Sequence, residues 1–324
     1  MSELEEMRSF VQVVESGSAT KAATVRGVAV SAISRRMKDL EARLGVQLIK
    51  RTTRKMTLTQ EGRSFYERAV RILSDLAEAE AEITHKDARL TGELRVSIPV
   101  SFGMTQVAPF LSVFMSAHPD LVVKVDMSDR RVSLVEEGFD VGIRIGRLGD
   151  SSLKARKILA FRHVLCAAPA FFKRHGMPTR PDDLKGWPAL CYGHLAHPTR
   201  WPYVDPAGHA GEVQVDARLE ATNGDVLREA GIAGHGVLCE PSFIVHRALE
   251  AGTLVPALMD HRWFGMSIYA IYPPTRHVSL RVRRFIDDLV DHFDGAPSWE
   301  ACLAGARSRP SRSARATGDR SGSP

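Results

Sequence analysis

The chain has 324 residues, 44% of them hydrophobic, which is too long for one small module and ample for more than one core. Its four cysteines, Cys166, Cys191, Cys239 and Cys302, form no C-x-x-C pair, which excludes a disulfide framework and a zinc ribbon and points to reduced thiols. The formal charge of +6 is uneven: Lys21 to Arg63 holds eleven Lys/Arg against three acids, whereas residues 92–295 hold 23 of each, so a polyanion partner is expected only for the N-terminal segment.

The chain opens on an acidic amphipathic pattern, with Leu4, Met7, Val11 and Val14 at helical spacing and Phe10 beside them, until Gly17 stops this first helix. No basic start with an apolar run occurs, and no stretch of about 18 apolar residues is found, so a cytoplasmic protein outside the membrane is expected. Ser18 can cap a second helix that runs to about Val25 and breaks at Gly27. In the third helix Ile33, Met37, Leu40 and Leu44 form one apolar stripe, which leaves Ser31, Ser34, Arg35 and Lys38 on the opposite face. The major groove admits such a face. After Gly45, Val46–Ile49 and Met56–Leu58 read as two short strands flanking Lys50, Arg51, Arg54 and Lys55, which makes a winged helix-turn-helix. Thr59 can cap a long helix over residues 60–85, roughly 39 Å at 1.5 Å per residue. Its Phe65, Ala69, Ile72, Leu76, Ala79 and Ile83 recur every 3.5 residues, a coiled-coil seam that implies a partner helix.

After Gly92 strands alternate with helices: Glu93–Ile98, Phe102–Ala117, Leu121–Met127, Val132–Glu137 and Val141–Ile145, as in a parallel sheet with crossover helices. A second set starts near Val164 and includes a helix from Gly224 to about Ala233, the apolar run Gly236–Cys239 and a helix after Pro241. Met266–Tyr272 is then one more strand, followed by an amphipathic helix through Val278, Val282, Phe285, Leu289 and Phe293. The expected domains are 1–59, a 60–91 linker helix, and a two-lobed α/β region 92–295, with lobe 1 at 92–162 and 267–295 and lobe 2 at 163–266. From residue 296 to 324 a disordered basic tail is expected.

The strings SATKAA, SAISRRMKDLEARLGVQL and KRTTRKMTLTQEG, then GELRVSIPVSFG, DRRVSLVEEGFDVGIRIG, ATNGDVLREAGIAGHGV and LEAGTLVPAL, resemble the LysR-type transcriptional regulators over residues 1–295. The resemblance implies a winged helix-turn-helix, a dimerising linker helix, an effector domain like the periplasmic solute-binding proteins, and assembly as a dimer or tetramer. Three positions depart from the family pattern, usually L-S-Q-S-A-V-S-R at the recognition helix. Ala29 cannot cap that helix as Ser would, a loss of roughly 1 kcal/mol. Val30 cannot make the paired hydrogen bonds Gln offers to adenine. Arg26 stands in place of a buried Leu, so its stem snorkels along the core or the second helix packs loosely.

Candidate DNA-binding residues are Ser31, Ser34, Arg35, Arg36 and Lys38 on the third helix, with Arg51, Thr53, Arg54 and Lys55 on the wing meeting backbone and minor groove. A small organic acid or similar polar metabolite is the expected effector, held by Ser101, Phe102, Ser128, Thr222 and Asn223 at strand ends and helix starts. Ser101 either binds an anion with the free amides there or caps its helix. Arg144 supplies a positive charge or sits in a structural ion pair. No G-x-S-x-G elbow, G-x-G-x-x-G, H-E-x-x-H or Walker loop is present, and His194 and His197 read as surface residues, so no catalysis, metal or cofactor is expected. The function expected is effector-controlled, sequence-specific binding of double-stranded DNA, the rival being a ligand-binding module that does not use its helix-turn-helix.

Overall fold

The computed structural model describes residues 2–51, 56–84, 89–147, 153–274, 278–295, 297–300 and 303. Residues 1–95, 114–124 and 275–285 group as one compact unit, and residues 96–113, 125–274 and 286–324 as a second.

In the first unit α1 (Glu3–Ser16), α2 (Ala19–Arg26) and α3 (Val30–Leu44) each end on a glycine with positive φ, Gly17, Gly27 and Gly45, a conformation that releases the chain from a helix without steric cost. Ser18 accepts from the Thr20 amide at 3.2 Å, whereas Ala29 leaves α3 without a side-chain cap. The apolar stripes meet in one core of Phe10, Val13, Ala22, Ile33, Met37 and Leu40.

The wing is β1 (Ile49–Arg51) paired antiparallel with β2 (Met56–Leu58), Lys50 opposite Thr57. The expected start at Val46 is corrected to Ile49, because the groups before it are engaged elsewhere. Glu41 Oε1 accepts from the Leu48 and Ile49 amides at 2.8 and 3.1 Å, while Thr59 donates from its hydroxyl to the Gln47 carbonyl at 2.7 Å and from its amide to the Leu48 carbonyl at 3.0 Å. Thr59 Oγ1 also accepts from the Gly62 amide at 2.9 Å, opening α4 (Gln60–Thr84).

The seam expected on α4 is corrected in part. Ala69 is fully buried and Phe65 half-buried in the core of their own chain, Phe65 with its ring 5.4 Å from Phe10. Ile72 is 47% exposed and Leu76 half-buried; the side chains of Ala79 and Ile83 lie outside the described residues. In the same unit the buried Arg281 donates to Asp75 and Ser74 of α4.

The following elements are β3 (Gly92–Ile98), α5 (Val100–Phe102), a π-helical stretch Gly103–Val107, α6 (Ala108–Ala117), β4 (Leu121–Met127), α7 (Leu134–Glu137), β5 (Val141–Gly146), β6 (Lys154–Ala160), β7 (His163–Ala167) and α8 (Pro169–His175). Next come β8 (Pro188–Tyr192), β9 (Arg200–Val204), β10 (Ala210–Gln214), β11 (Asp216–Ala221), α9 (Gly224–Ile232), β12 (Val237–Pro241), α10 (Ser242–Glu250), β13 (Val255–Pro256), β14 (Arg262–Trp263), β15 (Ser267–Tyr272) and α11 (Leu280–His292). They build two sheets, one ordered β4-β3-β5-β15-β6 and the other β10-β9-β14-β7-β12-β8-β11 with β13 on β7.

The sheets are mixed, which corrects the all-parallel expectation. β3–β5, β8–β11 and β8–β12 are parallel, but β15 returns antiparallel between β5 and β6, and β12 runs antiparallel to β7. In each sheet an antiparallel strand sits between two neighbours. The Val100–Ala117 helix, at mean hydropathy 1.3 over 18 residues, is long and apolar enough to cross a membrane, contrary to the expectation that no such stretch exists. Its Phe102, Val107, Phe110 and Phe114 are buried, as in a core helix.

The C-terminal expectation also needs correction. Trp299 and Leu303 are buried and residues 298–300 are helical. Glu300 accepts from the Arg162 amide and guanidinium at 3.2 and 3.0 Å and from the Ser242 hydroxyl at 2.5 Å, while Trp299 lies 6.3 Å from Phe243 and 6.0 Å from Phe293. Residues 304–324 lie outside the described residues. Cys166, Cys191 and Cys239 are buried free thiols; Cys302 falls outside as well.

Gly62 carries the closest approach in the first unit, since a Cβ there would stand 2.0 Å from the Leu48 carbonyl oxygen. Gly62→Ala is expected to lower stability by about 1–3 kcal/mol through the forced backbone shift, read as a drop in the chemical-denaturation midpoint. An unchanged midpoint would refute this packing.

Candidate functional site

The α3 helix separates its residues by face. Ile33, Met37 and Leu40 are buried, and Ser31, Arg35 and Lys38 are exposed with Ser34 half-buried between them. Arg35 is 78% exposed at its side chain, with Asp39 at 3.9 Å. Arg36, a candidate DNA contact from the sequence, is not on that face. Its side chain is 18% exposed, 3.4 Å from both Glu5 Oε2 and Ser9 Oγ, because one helical step of 100° turns it towards α1. Arg26 bonds the same Glu5 at 2.8 Å, and Arg43 bonds Glu6 at 3.0 Å. Arg26 thus places its head in an ion pair with α1, its side chain 19% exposed. On the wing Lys50 is exposed, while Thr53, Arg54, Lys55 and the Arg51 side chain lie outside the described residues.

In the second unit Ser101 and Asn223, from the ends of different sheets, come together with two carboxylates the sequence reading missed. Ser101 Oγ donates to Asp225 Oδ2 at 2.6 Å. Asn223 Nδ2 donates to Asp129 Oδ2 at 2.9 Å and to Ser101 Oγ at 3.3 Å. The Val100 amide, first in its helix, donates to Asp129 Oδ1 at 3.0 Å, and Asn223 Oδ1 caps α9 by accepting from the Asp225 amide at 3.0 Å. Arg228 pairs with Asp225 and with Glu229, the latter at 2.9 Å.

The other four expected ligand residues do not join them. Phe102 is fully buried, packed on Phe243 and Phe293 at ring distances of 5.3 and 5.6 Å, since its helical phase turns it inward. Ser128 closes a local turn by accepting from the Arg130 amide at 3.3 Å. Thr222 is exposed. Arg144 donates to the Ile143 carbonyl at 2.8 Å and to Ser97 at 3.4 Å, and burial holds its guanidinium below the ordinary value against the opposing pull of Glu137. A signal for the missed pair was present, in an Asp one residue past the Ser that ends a strand and an Asp in the first turn of a helix, both places where free amides wait.

Next to Gly224, which stands between Asn223 and Asp225, lies Glu240 on β12, 3% exposed, to which no described side chain donates a hydrogen bond. Its Oε2 lies against Gly224, where a Cβ would come within 2.6 Å. Burial first and the charge of Asp225 second push its carboxyl up to about 8. Among the described residues no group of three or more His, Cys, Asp or Glu is arranged to hold a metal ion.

Residues 4–63 match the family model of the bacterial regulatory helix-turn-helix protein, lysR family, and residues 87–294 match the LysR substrate binding domain. The HTH-type transcriptional regulator CrgA of Neisseria meningitidis serogroup C (strain 8013) is 34% identical over 290 residues, 89% of this chain and 96% of that protein. The regulator PtxR of Pseudomonas aeruginosa is 33% identical over 296 residues, 91% and 94% of the two chains. Among solved structures, CrgA from Neisseria meningitidis superposes with a TM-score of 0.57 at 32% identity, covering 91% of this chain and all of that one. The full-length Vibrio cholerae virulence activator AphB gives 0.55 at 31%, covering 90% and 99%. These relatives are transcription regulators rather than enzymes.

The titratable groups that interact electrostatically with Glu240 are Asp225 on α9, Tyr192 and Cys191 on β8, Cys166 on β7 and Cys239 on its own strand. With its folded value at about 8 against an ordinary 4.5, the folded protein keeps a proton that the unfolded chain releases, so stability falls as pH rises through that window. Glu240→Gln is therefore expected to stabilise the protein relative to wild type by on the order of 2–3 kcal/mol more at pH 8 than at pH 5. Denaturant titrations at both pH values test this, and an equal difference at both would refute it.

Proposed function

Because the chain belongs to the LysR family of transcriptional regulators, carrying the family's helix-turn-helix and substrate-binding domains, we propose that it binds double-stranded DNA in the cytoplasm as a homodimer or homotetramer. Control comes from a small effector held between the two lobes. The observation that carries this reading is the division of α3, where Ile33, Met37 and Leu40 are buried while Ser31, Arg35 and Lys38 stand exposed in a basic segment. Residues 1–59 are assigned to DNA, 60–91 to the linker and 92–295 to the effector.

Within this reading Arg35 and the serines read base edges, and Arg51, Thr53, Arg54 and Lys55 hold phosphates and the minor groove. Arg36 serves the fold through Glu5. Val30, 43% exposed at the start of α3, offers a thymine methyl an apolar contact in place of the hydrogen bonds a Gln would give. Ile72 and Leu76 support pairing of linker helices, since an exposed Ile on a helix otherwise faces water.

Selection from a random DNA pool followed by binding titrations tests the assignment. Arg35→Ala should lose roughly 1–3 kcal/mol of preference for the selected site, and Arg54→Ala should weaken all sequences alike and reduce the salt slope by about one. Arg36→Ala should lower the melting temperature and leave site preference intact. Equal loss of preference in all three variants would refute the division, and no retention of DNA would refute the function.

Oligomerisation is tested by sedimentation of the full chain. Ile72→Asp places a charge in the pairing face, where desolvation without a partner costs several kcal/mol, so mass should fall. An unchanged mass would assign assembly to other surfaces.

A further inference from the structure

We propose that the interlobe site takes a molecule bearing a cationic nitrogen, an ammonium or guanidinium group, and does not take the organic acid that its strand-end and helix-start position suggested. This rests on the reading that the effector binds between the lobes, and it specifies the chemistry of that effector.

The groups that would hold an anion are already engaged. The Val100 amide is bonded to Asp129, the Ser101 hydroxyl to Asp225, the Asn223 amide group to Asp129 and Ser101, and the Asp225 amide to Asn223. The nearest guanidinium, Arg228, is divided between Asp225 and Glu229. An entering carboxylate would have to displace Asp129 or Asp225 and then remain beside both. Like charges at that range disfavour ionisation of either.

Acceptors, by contrast, are in surplus. Glu240 is 97% buried, being 3% exposed, and its carboxyl receives no hydrogen bond from a described side chain. It lies against Gly224, which stands between the two residues that bond Ser101, and it feels the charge of Asp225. Burial first and the negative charge of Asp225 second hold its carboxyl above the ordinary value. Tyr192 stands within the field of Asp129 and Glu240, and burial first and those charges second push its phenol up. A cation flanked by carboxylates is attracted by them.

An ammonium group entering here brings three donors. They replace the Ser101 hydroxyl on Asp225 and the Asn223 amide on Asp129, and they give Glu240 its missing partner, which then releases its proton to solvent. Ser101–Asp225 and Asn223–Asp129 join opposite lobes, so exchanging them for ligand bonds changes which lobe arrangement is favoured. That differential affinity is what an effector needs.

The test is calorimetric titration of the full-length protein with ethanolamine, 1,4-diaminobutane and agmatine, against succinate and benzoate. At least one amine should bind wild type, more tightly at pH 8 than at pH 6 because Glu240 must lose its proton, and at least tenfold more weakly in Glu240→Gln and Asp225→Asn. Glu240→Gln keeps the fold testable, since it is expected to stabilise it, and circular dichroism verifies both variants. Binding of an acid but of no amine, no amine binding at millimolar concentration, or equal amine affinity in folded variants would each overturn the proposal. Retention of selected DNA by the same ligand-free preparations is scored separately, so that loss of DNA binding counts against the DNA-binding reading alone.

Discussion

A backbone N–H removed from water must find an acceptor, and in this chain distant carboxylates repeatedly meet that requirement. Glu41 receives the Leu48 and Ile49 amides, Asp129 the Val100 amide, and Glu300 the Arg162 amide. Each bond fixes a place where the chain changes direction. Glu41 sets where the wing strand begins, Asp129 anchors the start of an 18-residue helix, and Glu300 ties the last described turn to the strand-to-helix joint at Ser242. Strands and helices satisfy their own interiors, so their ends decide how they are joined.

Local rules in the sequence therefore predict the elements better than the joints. Gly17, Gly27 and Gly45 stop their helices because positive φ is a property of one residue. The seam on α4 is misread in part because a 3.5-residue period states only that one face is apolar, and Phe10 of the same chain covers Phe65 and Ala69. The mixed sheets were hidden for a related reason, since strand direction depends on pairing across distant segments. In the second unit Ser101 and Asn223 are legible as a strand-end hydroxyl and a helix cap. Asp129, Asp225 and Glu240 are not, because a carboxylate reads as a solvated charge until its neighbours are known. Phe102 is adjacent to Ser101 in sequence, yet one step along a helix turns it into the core against Phe243.

Charge counting needs the same correction. The eleven basic residues between Lys21 and Arg63 suggest a uniformly basic head, yet Arg26 and Arg36 share Glu5, and Arg43 holds Glu6. These acids belong to the first helix, outside the counted segment. Three arginines thus hold α1 against α2 and α3 while Arg35 and Lys38 project from the remaining face. The field that a polyanion meets is narrower than composition suggests, and α1 supplies the countercharge that narrows it.

The clasp made by Trp299 and Glu300 bears on how the second unit is handled as a fragment. The substrate-binding family model ends at residue 294, which is the natural place to cut. A fragment ending there would leave the Arg162 amide and the Ser242 hydroxyl without their acceptor and would uncover the rings of Phe243 and Phe293 where Trp299 now packs. Such a piece retains every element named in its family and still presents a fresh adhesive patch, so clumping in a trimmed preparation would report the missing clasp and not a defect of the domain.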